Sequence, residues 1–389
     1  MIYVGLDIAA EKHSCCILSE DKRVVKQFSF ANNIEGFTKL LGFLLDPSET
    51  KIGLESTGVY GNNLVEFLRR NGYMTHIFNP LLVKKGIQAT TLRKTKTDKS
   101  DAKYIAQYTM EHSQPNPETS YHILELKSLS RARISLVRER SKVKTLAKSL
   151  LVQIFPEFCL AFSDVFGTSA CAVLKQYPSA KAIAGCQVKK MEKLLCDTSR
   201  GRLGREKAEF LIDLAKHSVG TRSCSLELQL QTFLEQIDLF TAQILRYEAQ
   251  IKQIMNEIDS PITTIPGIGY VLGAVILGEI GDISRFSTPA KLQAYAGVDP
   301  SVSDSGSSVS DPGHMVKHGS HFLRWALGQA ARCVSLSDPV FAAYMQTKRA
   351  QGKHYSVACS HVAKKLTRVI FAILKKNTAY SPDYPLLGA

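Results

Sequence analysis

Nine cysteines are spread over 389 residues without a single C-x-x-C pair. Zinc modules and disulfide frameworks both need cysteines at set spacings, so neither is expected, and the thiols read as reduced. No uninterrupted apolar stretch reaches the roughly 20 residues that a membrane span requires. The opening MIYVGLDIAAEKH also lacks the basic region and apolar run of a signal peptide. The expectation is a cytoplasmic protein with no membrane partner. Acidic residues are scarce too: 35 Asp and Glu stand against 49 Lys and Arg, a formal net charge of +14. That excess points to a polyanionic partner, most simply nucleic acid. Hydrophobic residues make up 44% of the chain, ample for packed cores.

The first part alternates strand and helix patterns. MIYVGLDIA, KHSCCILSE and VVKQFSFA read as three strands in hairpin succession, followed by a helix in IEGFTKLLGFLL. KIGLEST is a fourth strand, GNNLVEFLRRNG an amphipathic helix closed by Gly72, and MTHIFNP a strand ended by Pro80. Three strands and then βαβα predict an α/β layer of the ribonuclease H kind. HSQPNPETS, with two prolines, reads as a linker. Two long helical patterns follow, one basic at 121–154 and one at 225–259, each with an apolar stripe. They should pair with each other or with a second subunit. Between them, 156–222 reads as short helices. At Ser260-Pro261 a glycine-rich apolar stretch opens a third region, which contains a Ser/Gly/Asp-rich patch at 299–313 and then basic helical sequence.

Four carboxylates carry candidate chemistry. Asp7 sits in an otherwise apolar strand, where an acid is costly unless paired or metal-bound. Glu55 ends the strand KIGLE, and a strand's C-terminal end is the usual location of α/β active sites; a cap for the next helix is the plainer reading. Asp98 and Asp101, three residues apart in TKTDKSDAKYIAQY, share one helix face. They suit either a helix start near the positive end of its dipole or a shared cation. Magnesium takes oxygen ligands and substrate phosphates, and two such ions support in-line phosphoryl transfer. Lys84, Lys85, Arg93, Lys94, Lys96 and Lys99 around the pair would hold a phosphodiester, or else form a solvated face. In the third region, TIPGIGYVLG has the h-x-G-h-G pattern of a helix-hairpin-helix turn at Gly267 and Gly269. Its amides could bind a phosphate, or the glycines could serve helix packing.

DIAAEKH, LESTGVYGNNLVEFLRRNGYMTHIFNP and KTDKSDAKYIA occur in the order and spacing of a known family. The chain resembles the DEDD insertion-sequence transposases of family one-hundred-and-ten, also called bridge-RNA-guided recombinases, to which DNA invertases of the Piv type are related. The resemblance implies a RuvC-like domain whose metal and catalytic ligands are Asp7, Glu55, Asp98 and Asp101, with Mg2+ as cofactor. FSTPAKLQAYAGVDPSVSDSG is similar to the family's C-terminal transposase domain, which implies that Ser305, just before Gly306, is the nucleophile; Ser303 and Ser307 are the neighbouring candidates. No His or Lys lies within several residues of Ser305. A serine hydroxyl needs activation, so the carboxylate site is expected to supply it. Three departures stand out. Ala10 replaces a common Lys, SSVSDPGHM replaces a Gly-Gly-basic stretch, and KHGS at Lys317–Ser320 replaces K-R-G-N.

The reading is α/β plus α. It comprises a RuvC-like domain at 1–114, a helical coiled-coil region with a middle insertion at 115–259, and a mostly helical transposase domain at 260–389. Lys317 and Arg324 join the expected nucleic-acid contacts, and His314, His318 and His321 read as phosphate contacts or surface. KKLTRVIFAILKK reads as a core-packed helix with a basic rim. The implied partners are donor and target DNA, a structured non-coding guide RNA, and further copies of the chain as a dimer or tetramer. The alternatives are a RuvC-like structure-specific endonuclease and a nucleic-acid-binding protein without activity.

Overall fold

The computed structural model describes residues 1–55, 60–78, 83, 98–112, 121–299, 315, 317 and 319–382, without the side chains of Asp98, Lys99 and Tyr121. The chain forms two compact units, Met1–Glu118 and Thr119–Ala389. The first is built on a five-stranded sheet: β1 (Ile2–Asp7), β2 (Lys12–Ser19), β3 (Val24–Ala31), β4 (Thr50–Glu55) and β5 (Thr75–Phe78). Its order is β3-β2-β1-β4-β5. The first three strands are antiparallel, and β4 and β5 run parallel to β1. The central strands carry near-continuous apolar sequence because both of their faces are covered. Ile2, Val4, Leu6, Ile52 and Leu54 form one core with α1 (Ile34–Leu41) and α2 (Asn62–Arg70). The first helix is shorter than its apolar run suggests, ending where Gly42 caps it.

The opposite face is covered by α3 (Asp98–His112), and two glycines decide how closely it sits. A Cβ on Gly5 would lie 2.1 Å from the Ala102 carbonyl oxygen and 2.2 Å from the Ala106 nitrogen. One on Gly53, the register partner of Gly5, would lie 1.9 Å from Thr109 Oγ1. The two missing side chains form a trough that receives the helix backbone. Beneath α3 lie Cys16 and Leu18; burial pushes the Cys16 thiol up to about 11, with Lys103 opposing weakly.

In the second unit, α4 (Tyr121–Ile154) and α10 (Cys224–Ile258) form an antiparallel pair within one chain. Arg133 donates to Glu248 at 2.6 and 2.8 Å, and Arg140 donates to Thr241 at 3.1 Å. At one end of this pair, α5 (Phe158–Ala161), α6 (Thr168–Gln176), α7 (Ala180–Ala184), α8 (Val188–Ser199) and α9 (Arg205–Lys216) build a separate core around Phe155, Phe158 and Leu211. At the other end are α11 (Tyr270–Ile280), α12 (Pro289–Ala296), α13 (His321–Ser337), α14 (Pro339–Ala350) and α15 (Tyr355–Lys376). Helix α11 is apolar apart from Glu279 and is buried from Gly273 to Ile280, as suits a helix at the centre of a bundle. The apolar middle of α15 packs into the same core through Leu366, Val369 and Ile370. Among the described residues no helix is long and apolar enough to cross a membrane.

Candidate active site

Strand alternation fixes where the carboxylates of the first unit point. Side chains alternate faces along a strand, so Tyr3, Gly5 and Asp7 share the face covered by α3, as do Lys51, Gly53 and Glu55. Lys51 Nζ lies 5.8 Å from the Tyr3 ring centroid on that face. Asp7 and Glu55 are each the last residue of their strand, about 7 Å beyond the glycine trough at two residues' rise. Both are half-buried. The direction of α3 completes the arrangement. Near its C-terminus, Glu111 accepts from Lys22 at 3.3 Å, and Lys22 follows Ser19, the partner of Ile2 at the start of β1. The helix therefore runs antiparallel to β1. Its first turn, with half-buried Asp101 just ahead of Ala102, lies toward the end of the sheet where β1 and β4 finish. Asp98 opens the helix.

Asp7, Glu55 and Asp101 thus share one face and one end of the sheet. Among the described residues, no three His, Cys, Asp or Glu side chains gather into a formed metal cluster. Residues Lys84, Lys85, Arg93, Lys94 and Lys96 lie outside the described residues, and only the backbone of Lys99 is described. The same holds in the second unit for Ser305, its neighbours Ser303 and Ser307, and for His314 and His318. Lys317 is exposed there; Arg324 is half-buried and donates to the Ala296 carbonyl at 3.3 Å. Gly267 has φ +86°, and a Cβ there would lie 2.8 Å from the backbone of Cys333, so packing against α13 already requires glycine. Gly269 caps α11, with open space where a Cβ would go.

Two family models match this chain: one described as a transposase of the IS110 DEDD type over residues 4–156, and one described as the transposase IS116/IS110/IS902 family over residues 259–346. Together they span more than half of the sequence. The chain belongs to the IS110 transposase family. It is 26% identical over 298 residues to the 43.6 kDa protein of insertion element IS110 from Streptomyces coelicolor, covering 75% of this chain and 73% of that one. The 44.8 kDa protein of insertion element IS116 from Streptomyces clavuligerus is 22% identical over 396 residues, covering 99% of this chain and 97% of its own. A pilin gene-inverting protein from Moraxella bovis is 23% identical over 385 residues, 97% of each chain. This chain is a DNA transposase or recombinase, and its family's DEDD designation implies a divalent metal.

The sheet of this transposase brings further residues to the carboxylate face that sequence alone did not single out. Ser14 is the cross-strand partner of Asp7; it is buried, with its Oγ 3.4 Å from that of Ser29 on β3. A polar row therefore extends from Asp7 across three strands, and nothing before the register is known links residues 7, 14 and 29. On the opposite face, His13 Nδ1 accepts from the Ala9 amide at 3.3 Å, tying down the turn that follows Asp7. Burial against Phe30 and Phe37 lowers the His13 pKa, and Asn32 opposes this in part. Asp7, Glu55 and Asp101 offer carboxylate oxygens, the donors that a hard divalent cation takes.

Proposed function

We propose that this transposase joins donor and target DNA through serine attack on a phosphodiester, assisted by Mg2+ held by Asp7, Glu55, Asp98 and Asp101. The observation that carries the reading is the Gly5–Gly53 trough. It seats α3 so that Asp101 shares a face and an end with the terminal carboxylates of β1 and β4. The sheet order, with three antiparallel strands and two parallel additions, supports a ribonuclease H-like and specifically RuvC-like domain. Bound there, the ion would supply Lewis-acid activation of an oxygen nucleophile and stabilise the charge of the reacting phosphate.

Ser305 is the proposed nucleophile. Its Oγ would bond to phosphorus as the bond to the leaving sugar oxygen breaks. The seryl proton would pass to the carboxylate site, and the departing sugar would take up a proton as a free hydroxyl. A hydroxyl of another strand would then attack the phosphoserine and release the enzyme. The number of phosphodiester-type bonds stays constant, so no nucleotide triphosphate is consumed. Selection of both DNAs by a structured non-coding RNA, and action as a dimer or tetramer, belong to the same reading; the charge of +14 accommodates such polyanions.

The experiment uses DNA carrying the ends of the cognate element, with flanking RNA and a magnesium titration. The expectation is strand cleavage that requires the metal and is lost in Asp7→Asn and Asp101→Asn while DNA binding persists. Full cleavage in those variants, or cleavage undiminished by chelator, would remove the carboxylates from the reaction. Free ends produced equally well by Ser305→Ala would instead favour a structure-specific endonuclease.

A further inference from the structure

The carboxylate site leaves unused a group of charges in the second unit, where α4, α11 and α13 meet. Glu279, on α11, is only 2% exposed. Arg131 of α4 clamps it, donating from Nε at 2.6 Å and from Nη2 at 3.0 Å, and Ser320 donates from Oγ at 2.8 Å. Burial alone would raise the Glu279 pKa, but these bonds and the charges of Arg131 and Lys127 hold it below the ordinary range. A charged glutamate is thereby fixed beneath the surface. Next to it, the backbone of α4 presses on Gly278, where a Cβ would lie 2.8 Å from Lys127 Cα. This close approach sets Lys127, half-buried, within Coulombic range of Glu279, Arg131 and Arg285.

From this arrangement we propose that the cluster of Lys127, Arg131 and Arg285 beside Glu279 holds a phosphodiester of nucleic acid. One carboxylate is fully matched by the Arg131 clamp, yet further cations crowd it. Lys127 is drawn to Glu279 but repelled by both Arg131 and Arg285, and His321, also drawn to Glu279, is repelled by Arg138, Arg131 and Arg324. Such an excess of like charge destabilises the folded chain unless an anion joins it. The guanidinium groups are also held flat in advance. Arg131 Cζ lies 4.7 Å from the Phe322 ring centroid, and Arg285 Cζ lies 5.0 Å from that of Tyr295 and 5.2 Å from that of Phe286. Stacked, planar guanidinium suits bidentate phosphate recognition. Nη1 of Arg131 takes no part in the clamp.

The cluster's position gives it a use, in a step that rests on the serine reading above. Asp299 is ion-paired to Lys364 at 3.1 Å, and the Ser320 amide donates to the Tyr295 carbonyl at 2.9 Å. These bonds anchor the two ends of the stretch that contains Ser305. Ser320, the second anchor, is itself bonded to Glu279. A phosphodiester held by Lys127 and Arg285 would therefore lie beside an anchored end of the nucleophile's segment.

The test measures affinity of the full-length protein for a labelled DNA duplex and for an RNA hairpin of equal phosphate count, across a potassium chloride series. Lys127→Gln and Arg285→Gln are each expected to lower the slope of log affinity against log salt by about 1 and to weaken binding in moderate salt about tenfold or less. Arg285→Lys should recover the slope, because the charge is kept. With no nucleic acid present, the unfolding midpoint of Arg285→Gln should stay level or rise, since its repulsion of Lys127 is relieved. A loss confined to the DNA arm or to the RNA arm supports the phosphodiester site and names its occupant. Unchanged slopes in both arms, together with a lower midpoint, would show that these cations only neutralise Glu279 and would overturn the proposal. Binding slopes do not depend on strand chemistry, so an Asp101→Asn protein that fails to cut but keeps its slope separates this outcome from failure of the metal reading.

Discussion

The Gly5→Ala substitution puts the seating of α3 to a quantitative test. The new methyl carbon would stand 2.1 Å from the Ala102 carbonyl oxygen and 2.2 Å from the Ala106 nitrogen. Both are backbone atoms, so no side-chain rotation relieves the clash. Ordinary contact near 3.5 Å would require the helix to move outward by about 1.4 Å. Overpacking of this kind destabilises by about 1–3 kcal/mol. The same displacement carries Asp101 away from Asp7 and Glu55, and a misplacement of about 1 Å can lower a rate some hundredfold. The protein's one tryptophan, Trp325, lies in the second unit, which separates the two unfolding signals. Urea unfolding followed by tryptophan fluorescence should be unchanged, while the far-ultraviolet circular dichroism transition of the first unit should move to lower urea. Gly204→Ala is the control, because nothing lies within 4 Å of a Cβ at that position. A Gly5→Ala protein with wild-type unfolding by both probes and wild-type cleavage would refute the packing argument and, with it, the placement of Asp101.

Other consequences are equally open to measurement. Burial lowers the folded-state pKa of His13, so the unfolded chain binds a proton there more readily. The first unit should accordingly lose stability as pH falls from about 6.5 toward the lowered value, and His13→Phe should flatten that dependence in urea titrations at stepped pH. Glu279→Gln removes the carboxylate that holds Arg131 and should destabilise the second unit by about 1–3 kcal/mol, read from Trp325 fluorescence. Ser14→Val should leave the fold intact but remove the polar neighbour of Asp7, reducing metal-dependent cleavage and shifting its magnesium requirement upward, with DNA affinity unchanged.

Much of this architecture was legible because apolar patterning follows secondary structure closely. The sheet-and-helix order of the first unit could be read from alternating strands and from turn residues such as Gly72. The two long apolar stripes announced a helix pair, though not whether the partner would be the same chain; Arg133–Glu248 and Arg140–Thr241 show that it is. The role of Gly5 and Gly53 stayed hidden, since a close approach depends on which residues meet across the sheet. The Ser14–Ser29 row was hidden for the same reason, being created by register. Glu279 sits in an apolar run, and its meaning comes from Arg131, 148 positions away. At the candidate site, Asp98 and Asp101 suited a helix start as well as a metal, and the structure has Asp98 opening α3. The two readings are compatible, because a helix start at the strands' C-terminal end is where a metal carboxylate is useful.

The most direct measurement of the central proposal is the identity of the covalent link. Cognate element DNA is incubated with the full-length protein, RNA and magnesium, the adduct is isolated under denaturing conditions, and the modified peptide is mapped by mass spectrometry. The account predicts a nucleotide on Ser305, absent in Ser305→Ala and in Asp101→Asn. Cleavage without any adduct, or an adduct on another residue that survives Ser305→Ala, would contradict it.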